Sequence, residues 1–572
     1  MKNREVNEIE VKNKIIEGYF PFKKFRPYQK RILYDIVNSL ESDKDLIILE
    51  GPTGFGKSPV NIALGKYFKP SFYTTPQVKL VNQIARDFCP RNLVIDGGIG
   101  DVVALLGRKN YICRESHQAS DICPIRDGLE GIDDNGNEVI RTCTKEHNCT
   151  YWKQKEQAME SDIAVLTFAM LITNTYLSGE SHFSARNLLI IDECHSLESQ
   201  IAGMFAGFTL SSSTLPKFKP EEQVYQEEMN EELEKDLPRS GRIKDYLPFF
   251  NKFERFTQKW LPLCANERER DKLTNLSRKI DYMLLEIDEG RKWVIDIPKY
   301  KNYSKKLGPR KFKPILVDKF LQRKVWSQSN KIILSSATIP FRDNIHAWLK
   351  RIGLEEMKYE FYSVPMSFPL WNRQIITSCM GGKMTRKEEN KNWEGNVNII
   401  KEIIKKHDGE RGVIHTQSYK RARRLYYELN ASNTFLHDKG ELEGDLIEEW
   451  IKTNKMVLIS PSIKEGVDLK GELCRFQILL KVPYPNIKDS RVEYLLNKKK
   501  DWKWYNNEAI KYIVQMYGRA VRSSNDYAKF YIIDGSFNNL SRKGFPQWFL
   551  DAIVDSKERF QRNDNLKLRD FF

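Results

Sequence analysis

The sequence contains no uninterrupted apolar run of about 18 residues, which excludes a conventional membrane-spanning helix. Its first residues, MKNREVNEIEVKNK, are too polar for a signal peptide, so an intracellular protein is expected, cytoplasmic or, in a eukaryote, nuclear. Cysteine is scarce and odd in number, nine in 572 residues, which argues against a disulfide framework. No C-x-x-C pair occurs, so the common zinc-ribbon spacing is missing. Internal repeats and low-complexity tails are also absent. What is abundant is charge, at 30% of residues, together with 40% hydrophobic and 12% aromatic residues, enough apolar surface for several cores. At roughly 100 to 200 residues per domain, three to five domains are expected. Lys and Arg outnumber Asp and Glu by 93 to 77, a formal charge of +16 that favours a polyanionic partner such as nucleic acid.

Short apolar runs alternate with helical patterns in two regions. LIILE (46–50), SFYTT (71–75), IAVLT (163–167), LLIID (188–192) and KIILSS (331–336) read as buried strands of one unit. RGVIHT (411–416), MVLIS (456–460), FQILLKV (476–482) and KFYIID (529–534) read as a second. An α/β protein with two parallel sheets follows. Two stretches break the rhythm of the first unit. Residues 106–155 are polar and loop-rich. Residues 209–325 are highly charged and helical in pattern, with seven Glu between 221 and 234 and seven Lys or Arg without an acid between 299 and 314. Tyr300, Tyr303 and Phe312 are interleaved with that basic run, which predicts a basic face on a helical insertion.

The chemistry begins at LIILE-GPTGFGKS. Gly51, Gly56, Lys57 and Ser58 fit G-x-x-x-x-G-K-[ST], a loop whose backbone amides cradle phosphates at a helix N-terminus. Pro52, Thr53, Gly54 and Phe55 complete the loop. Lys57 is expected on the β- and γ-phosphates of ATP and Ser58 on Mg²⁺. At the end of another strand, LLIIDECH supplies Asp192 as a second Mg²⁺ ligand, Glu193 to polarise water, and His195 to couple nucleotide to sheet.

The order of further motifs resembles superfamily 2 helicases of the DEAH type. FRPYQ (25–29), ending in Gln29, resembles the adenine-side motif, and TTPQVKLVNQ (74–83) resembles the first strand-contacting motif. SSAT (335–338) resembles motif III, SIKEGVDLKG (462–471) motif V, and QMYGRAVRS (515–523) motif VI. The resemblance implies that Arg519 and Arg522 act as arginine fingers, Gln515 orients phosphate or water, and Gly466 and Asp468 link nucleotide state to the DNA track.

Cys113, Cys123, Cys143 and Cys149, separated by nine, nineteen and five residues, can ligate zinc or a [4Fe–4S] cluster, and spacing alone favours neither. Their place between motifs Ia and II, opened by GRKNYIC (107–113), is similar to the iron–sulfur helicases of the XPD/DinG type. YSVPMSFPLWNR (362–373) resembles the stretch that opens the second motor domain in that group. The expected architecture is two RecA-like motor domains, with an iron–sulfur insert and a helical arch insert in the first. The first motor comprises 1–105, 156–208 and 326–362, the cluster insert 106–155, the arch 209–325, and the second motor 363–572. The activity implied is an ATP-dependent DNA helicase moving 5′ to 3′ on single-stranded DNA, in DNA repair, acting as a monomer on forked or tailed duplexes without a membrane partner. The rivals are an RNA helicase or a translocating ATPase that does not unwind, and, from another class, a DNA-binding scaffold with an idle motor.

Overall fold

The computed structural model describes residues 12–89, 101–123, 129–132, 138–141, 149–174, 183–211, 213–236, 238, 241–297, 309–429, 432–438, 443–461, 469 and 471–554. Two seven-stranded sheets dominate. Across the first, the strands run Tyr359–Ser363, Leu46–Glu50, Lys331–Ser336, Leu188–Asp192, Ser71–Thr75, Ile163–Thr167 and Val102–Leu105. Every pairing is parallel. The strands Leu46–Glu50, Ile163–Thr167 and Leu188–Asp192 are buried at every position, which is why they read as apolar runs without alternation. Cores form on both faces of this sheet: Leu46 and Ile48 face one, Ile47 and Leu49 the other.

The second sheet runs Thr434–Leu436, Val457–Ser460, Gly412–His415, Phe476–Leu479, Lys529–Ile532, Ile375–Ile376 and Ile553–Val554, again all parallel. Helix Trp502–Tyr517 follows the Phe476–Leu479 strand and lies between the two sheets' units.

The order of the first sheet positions the site. The strands ending in the Gly-rich loop, in SSAT and in DECH are adjacent, so three motifs distant in sequence emerge side by side at one carboxyl edge, where open α/β sheets bind ligands.

The charged insertion is only partly helical. Helices Gln223–Asp236, Ile243–Trp260 and Glu267–Asp288 are joined by an antiparallel sheet of Phe208–Leu210, Arg310–Pro314 and Trp293–Asp296. The basic run therefore ends in a strand, and Phe312 is a core residue rather than part of a basic face. Phe312 stacks on Phe208 at 4.7 Å between ring centres and is fully buried. Tyr300 and Tyr303 lie outside the described residues. The cysteine segment carries an antiparallel hairpin, Leu129–Ile132 with Glu138–Arg141, and closes on helix Thr150–Glu160.

Candidate active site

The Gly-rich loop is held from beneath. The Gln29 amide donates to the carbonyls of Phe55 (2.8 Å) and Gly56 (3.0 Å), while its oxygen accepts from the Arg26 amide at 2.7 Å. Gln29 is thus a brace of the phosphate loop in this state. Gly56 adopts φ +80°, and a Cβ there would sit 2.6 Å from Gln29 Nε2, so both backbone and space demand glycine. Lys57 Nζ donates to the Gly51 carbonyl at 3.2 Å.

Asp192 and Glu193 differ in environment. Burial and the neighbouring Glu193 charge push Asp192 up to about 6, against the opposing pull of Lys57 and a hydrogen bond from Tyr73. The Tyr73 hydroxyl donates to Asp192 Oδ2 at 2.8 Å from the adjacent strand and also meets Ser58, bridging both proposed Mg²⁺ ligands. Burial acts upward on Glu193 too, but the hydrogen bond to His195 and the charges of Lys57, His195 and Arg519 outweigh it and hold Glu193 well below the usual range. Glu193 takes the left-handed conformation at φ 52°, a strained position that aims its carboxylate back across the sheet edge.

From Glu193 a polar chain crosses the cleft. His195 Nδ1 lies 3.1 Å from Glu193 Oε2 and 2.8 Å from Ser336 Oγ, and Ser336 Oγ is 3.3 Å from the same carboxylate oxygen. Ser336 Oγ accepts from the Thr338 amide at 3.2 Å, and Gln515 Nε2 donates to Thr338 Oγ1 at 3.2 Å. Lys511, one turn earlier on the same helix, donates to the His195 carbonyl at 3.0 Å. The two units are therefore closed on one another around DECH and SSAT. At the loop itself, a Cβ on Gly518 would be 2.7 Å from Thr53 Oγ1, and one on Gly54 would be 2.3 Å from Phe368 Cζ.

Of the residues singled out in the sequence, the structure brings together Lys57, Ser58, Asp192, Glu193, His195, Gln515 and Arg519. Arg522 is placed by its amide, which donates to Asp526 Oδ2 at 3.4 Å. Gly466 and Asp468 lie outside the described residues. Tyr73, Lys511 and Phe368 escaped sequence reasoning. Tyr73 sits in a β-prone run just before the 74–83 motif, whose resemblance stops short of it, Lys511 is one lysine among many, and Phe368 stands in a stretch singled out only as a domain opening.

Cys113, Cys123 and Cys149 are buried, Cys149 within the large core on one face of the first sheet. Cys113 and Cys123 form a small cluster of their own, apart from every large core. Thr150, next to Cys149, donates its hydroxyl to the Ile112 carbonyl at 2.8 Å, which brings the helix start to the residue preceding Cys113. Burial works to raise the Cys113 thiol, and hydrogen bonds from the Ser116 side chain and the Ser116 and Glu115 backbone outweigh it and lower it. That donor set fits a thiolate-bound metal group. Cys143 lies outside the described residues, and among the described residues no three metal-ligating side chains converge.

The family described as a helicase C-terminal domain matches residues 400–552, and that of the type III restriction enzyme res subunit matches 22–224. The ATP-dependent DNA helicase YoaA of Haemophilus influenzae is 21% identical over 95% of this chain and 94% of its own. The chain is similar to the XPD/DinG-like superfamily 2 helicases. The ATP-dependent DNA helicase YoaA of Escherichia coli is also 21% identical, over 83% of this chain and 84% of its own. In fold, the chain superposes on an XPD helicase structure with a TM-score of 0.58 at 16% identity, covering 93% of this chain and 98% of that one. The structure of S. tokodaii Xpd4 gives a TM-score of 0.57 at 15% identity, covering 93% and 100%. Among the described residues no helix is long and apolar enough to cross a membrane.

Proposed function

We propose that this XPD-like helicase uses ATP to move 5′ to 3′ along single-stranded DNA, in DNA repair inside the cell, and that it unwinds forked or tailed duplex as a monomer. The observation that carries this reading is the polar chain from Glu193 through Ser336 and Thr338 to Gln515, which ties the hydrolytic acid to the second motor.

Lys57 leaves the Gly51 carbonyl to bind the β- and γ-phosphates, and the amides of 51–58 enclose them. Ser58 and Asp192, already linked through Tyr73, hold Mg²⁺, whose charge neutralises the phosphate oxygens when bound. Glu193 accepts the proton of the attacking water, with His195 and Ser336 fixing its carboxylate. Arg519 and Arg522 meet the charge that develops on the transferred phosphoryl group as the cleft closes. Release of the cleaved phosphate removes that charge, the arginines lose their partner, and the motors part.

Residues 1–105, 156–208 and 326–362 make up the first motor and 363–572 the second. The insert 106–155 and the arch 209–325 form the rim against which strands separate. Cys113, Cys123, Cys143 and Cys149 hold a [4Fe–4S] cluster that knits the insert together, a role suited to a segment with little core of its own. Strand displacement on duplexes with a 5′ or a 3′ tail tests activity and polarity at once. Unwinding from the 5′ tail is expected, and unwinding from the 3′ tail alone overturns the polarity.

A further inference from the structure

Helix Trp502–Tyr517 has one end at the motif VI turn and the other at an exposed basic turn that the reading above does not use. Lys498, Lys499 and Lys500 are consecutive and exposed, and Lys500 takes the left-handed conformation at φ 56°. Three acids around the turn are already engaged. Asp501 pairs with Arg351 at 2.7 Å, Asp489 with Lys313 at 2.5 Å, and Asp343 with Lys503 at 3.0 Å. Among the described residues the three consecutive lysines have no ion-pair partner, so their charge faces solvent unneutralised.

Beside them stands a ladder of rings. Tyr484 and Tyr505 stack with centres 4.8 Å apart and planes 14° from parallel, and Trp502 meets Tyr505 edgewise at 6.3 Å. Trp502 is 56% exposed and Trp371, in another part of the chain, 68%, whereas Trp504 is 4% exposed and Trp260, Trp348, Trp393, Trp450 and Trp548 are fully buried. Leaving so large an apolar ring in water costs free energy that burial of most of the other tryptophans avoids. An exposed ring among unpaired lysines is the arrangement that single-stranded nucleic acid meets in non-specific sites, where bases stack and phosphates pair with cations.

We propose that the turn 498–503 is a contact site for single-stranded nucleic acid, with Trp502 stacking on a base and Lys498, Lys499 and Lys500 contacting phosphates. The proposal rests on the helicase reading and adds a site to it. An acidic peptide would satisfy the lysines but leave the ring ladder without purpose. At 1.5 Å per residue the helix spans about 24 Å, so strand held at this turn bears on the same rod that carries Gln515 and leads into the turn holding Arg519 and Arg522.

The test is equilibrium binding of a fluorescent oligothymidine, as a function of salt, to the full chain and its variants. Trp502→Ala weakens binding about tenfold, Trp502→Phe keeps most of the affinity, and both retain wild-type ATPase activity in the absence of DNA. Replacing Lys498, Lys499 and Lys500 with Gln flattens the dependence of log affinity on log salt by about 2. Wild-type affinity and slope in all variants overturn the proposal. So does a loss of polyglutamate binding with oligothymidine binding intact, which assigns the turn to an acidic protein partner. If the wild-type chain neither binds oligothymidine nor hydrolyses ATP faster in its presence, both readings fall. A wild-type response that every variant shares defeats only this one.

Discussion

Arg491 Nη2 approaches Glu198 Oε1 to 2.6 Å, joining the helical turn just beyond the DECH acids to the second motor. Arg351 binds the same carboxylate through both Nε (3.1 Å) and Nη2 (2.8 Å), and Arg491 also reaches the Ile315 carbonyl where the chain returns from the charged insertion. One buried anion thus gathers both motors and the insertion's return. Burial acts to raise Glu198, and the two arginines outweigh it and hold it below the carboxylate range.

Glu198→Gln should therefore destabilise the protein by about 3 kcal/mol in urea unfolding, because the buried Arg491 loses its anion and Arg351 keeps only Asp501. A depressed folded value means that the ionic contribution is complete above the ordinary carboxyl value of 4.5 and is lost as pH falls through the folded one. The gap between wild type and Glu198→Gln should narrow in acid.

Lys57→Ala should lower ATP turnover by at least about 100-fold, since the phosphates lose their main cation. Glu193→Gln should block turnover as strongly while ATP stays bound, because Asp192 and Ser58 remain. Nucleotide binding measured beside turnover separates the two.

Gly518→Ala should slow turnover about tenfold, the new methyl meeting Thr53 Oγ1 where the motors close. Thr53→Ala in the same chain should relieve it, and a double-mutant cycle should return a coupling between two residues in different motors.

Tyr73→Phe removes the hydrogen bond that favours the Asp192 carboxylate. Asp192, already near 6, should rise further, so the apparent Mg²⁺ affinity should fall more near pH 6 than well above it. A titration of ATPase activity with Mg²⁺ across pH reads this directly.

Serine at Cys113, Cys123 or Cys149 should cost iron and strand separation before it costs ATP hydrolysis, because Cys113 and Cys123 sit in a small cluster with little core to fall back on. Serine at Cys264 or Cys474, both buried in larger apolar cores, should leave iron content unchanged.

The strand runs, the Gly-rich loop and the DECH and SSAT motifs were legible in the amino-acid order because each is local: a buried parallel strand must be apolar throughout, and a phosphate loop needs its glycines at a set spacing. The charged insertion was less legible. Its basic run ends in Arg310–Pro314, where alternate positions face a core, and Phe312 lies buried among Phe208, Tyr246 and Phe250 because distant strands pair there. Tyr73, Glu198, Lys511 and Trp502 acquire their meaning only from strand order and domain closure. Sheet order sets Tyr73 beside Asp192, although 119 positions separate them, and closure sets Lys511 against His195 across 316. Local sequence specifies which backbone can cradle a phosphate. Which side chains share a buried charge is decided only when long-range packing excludes water from around them.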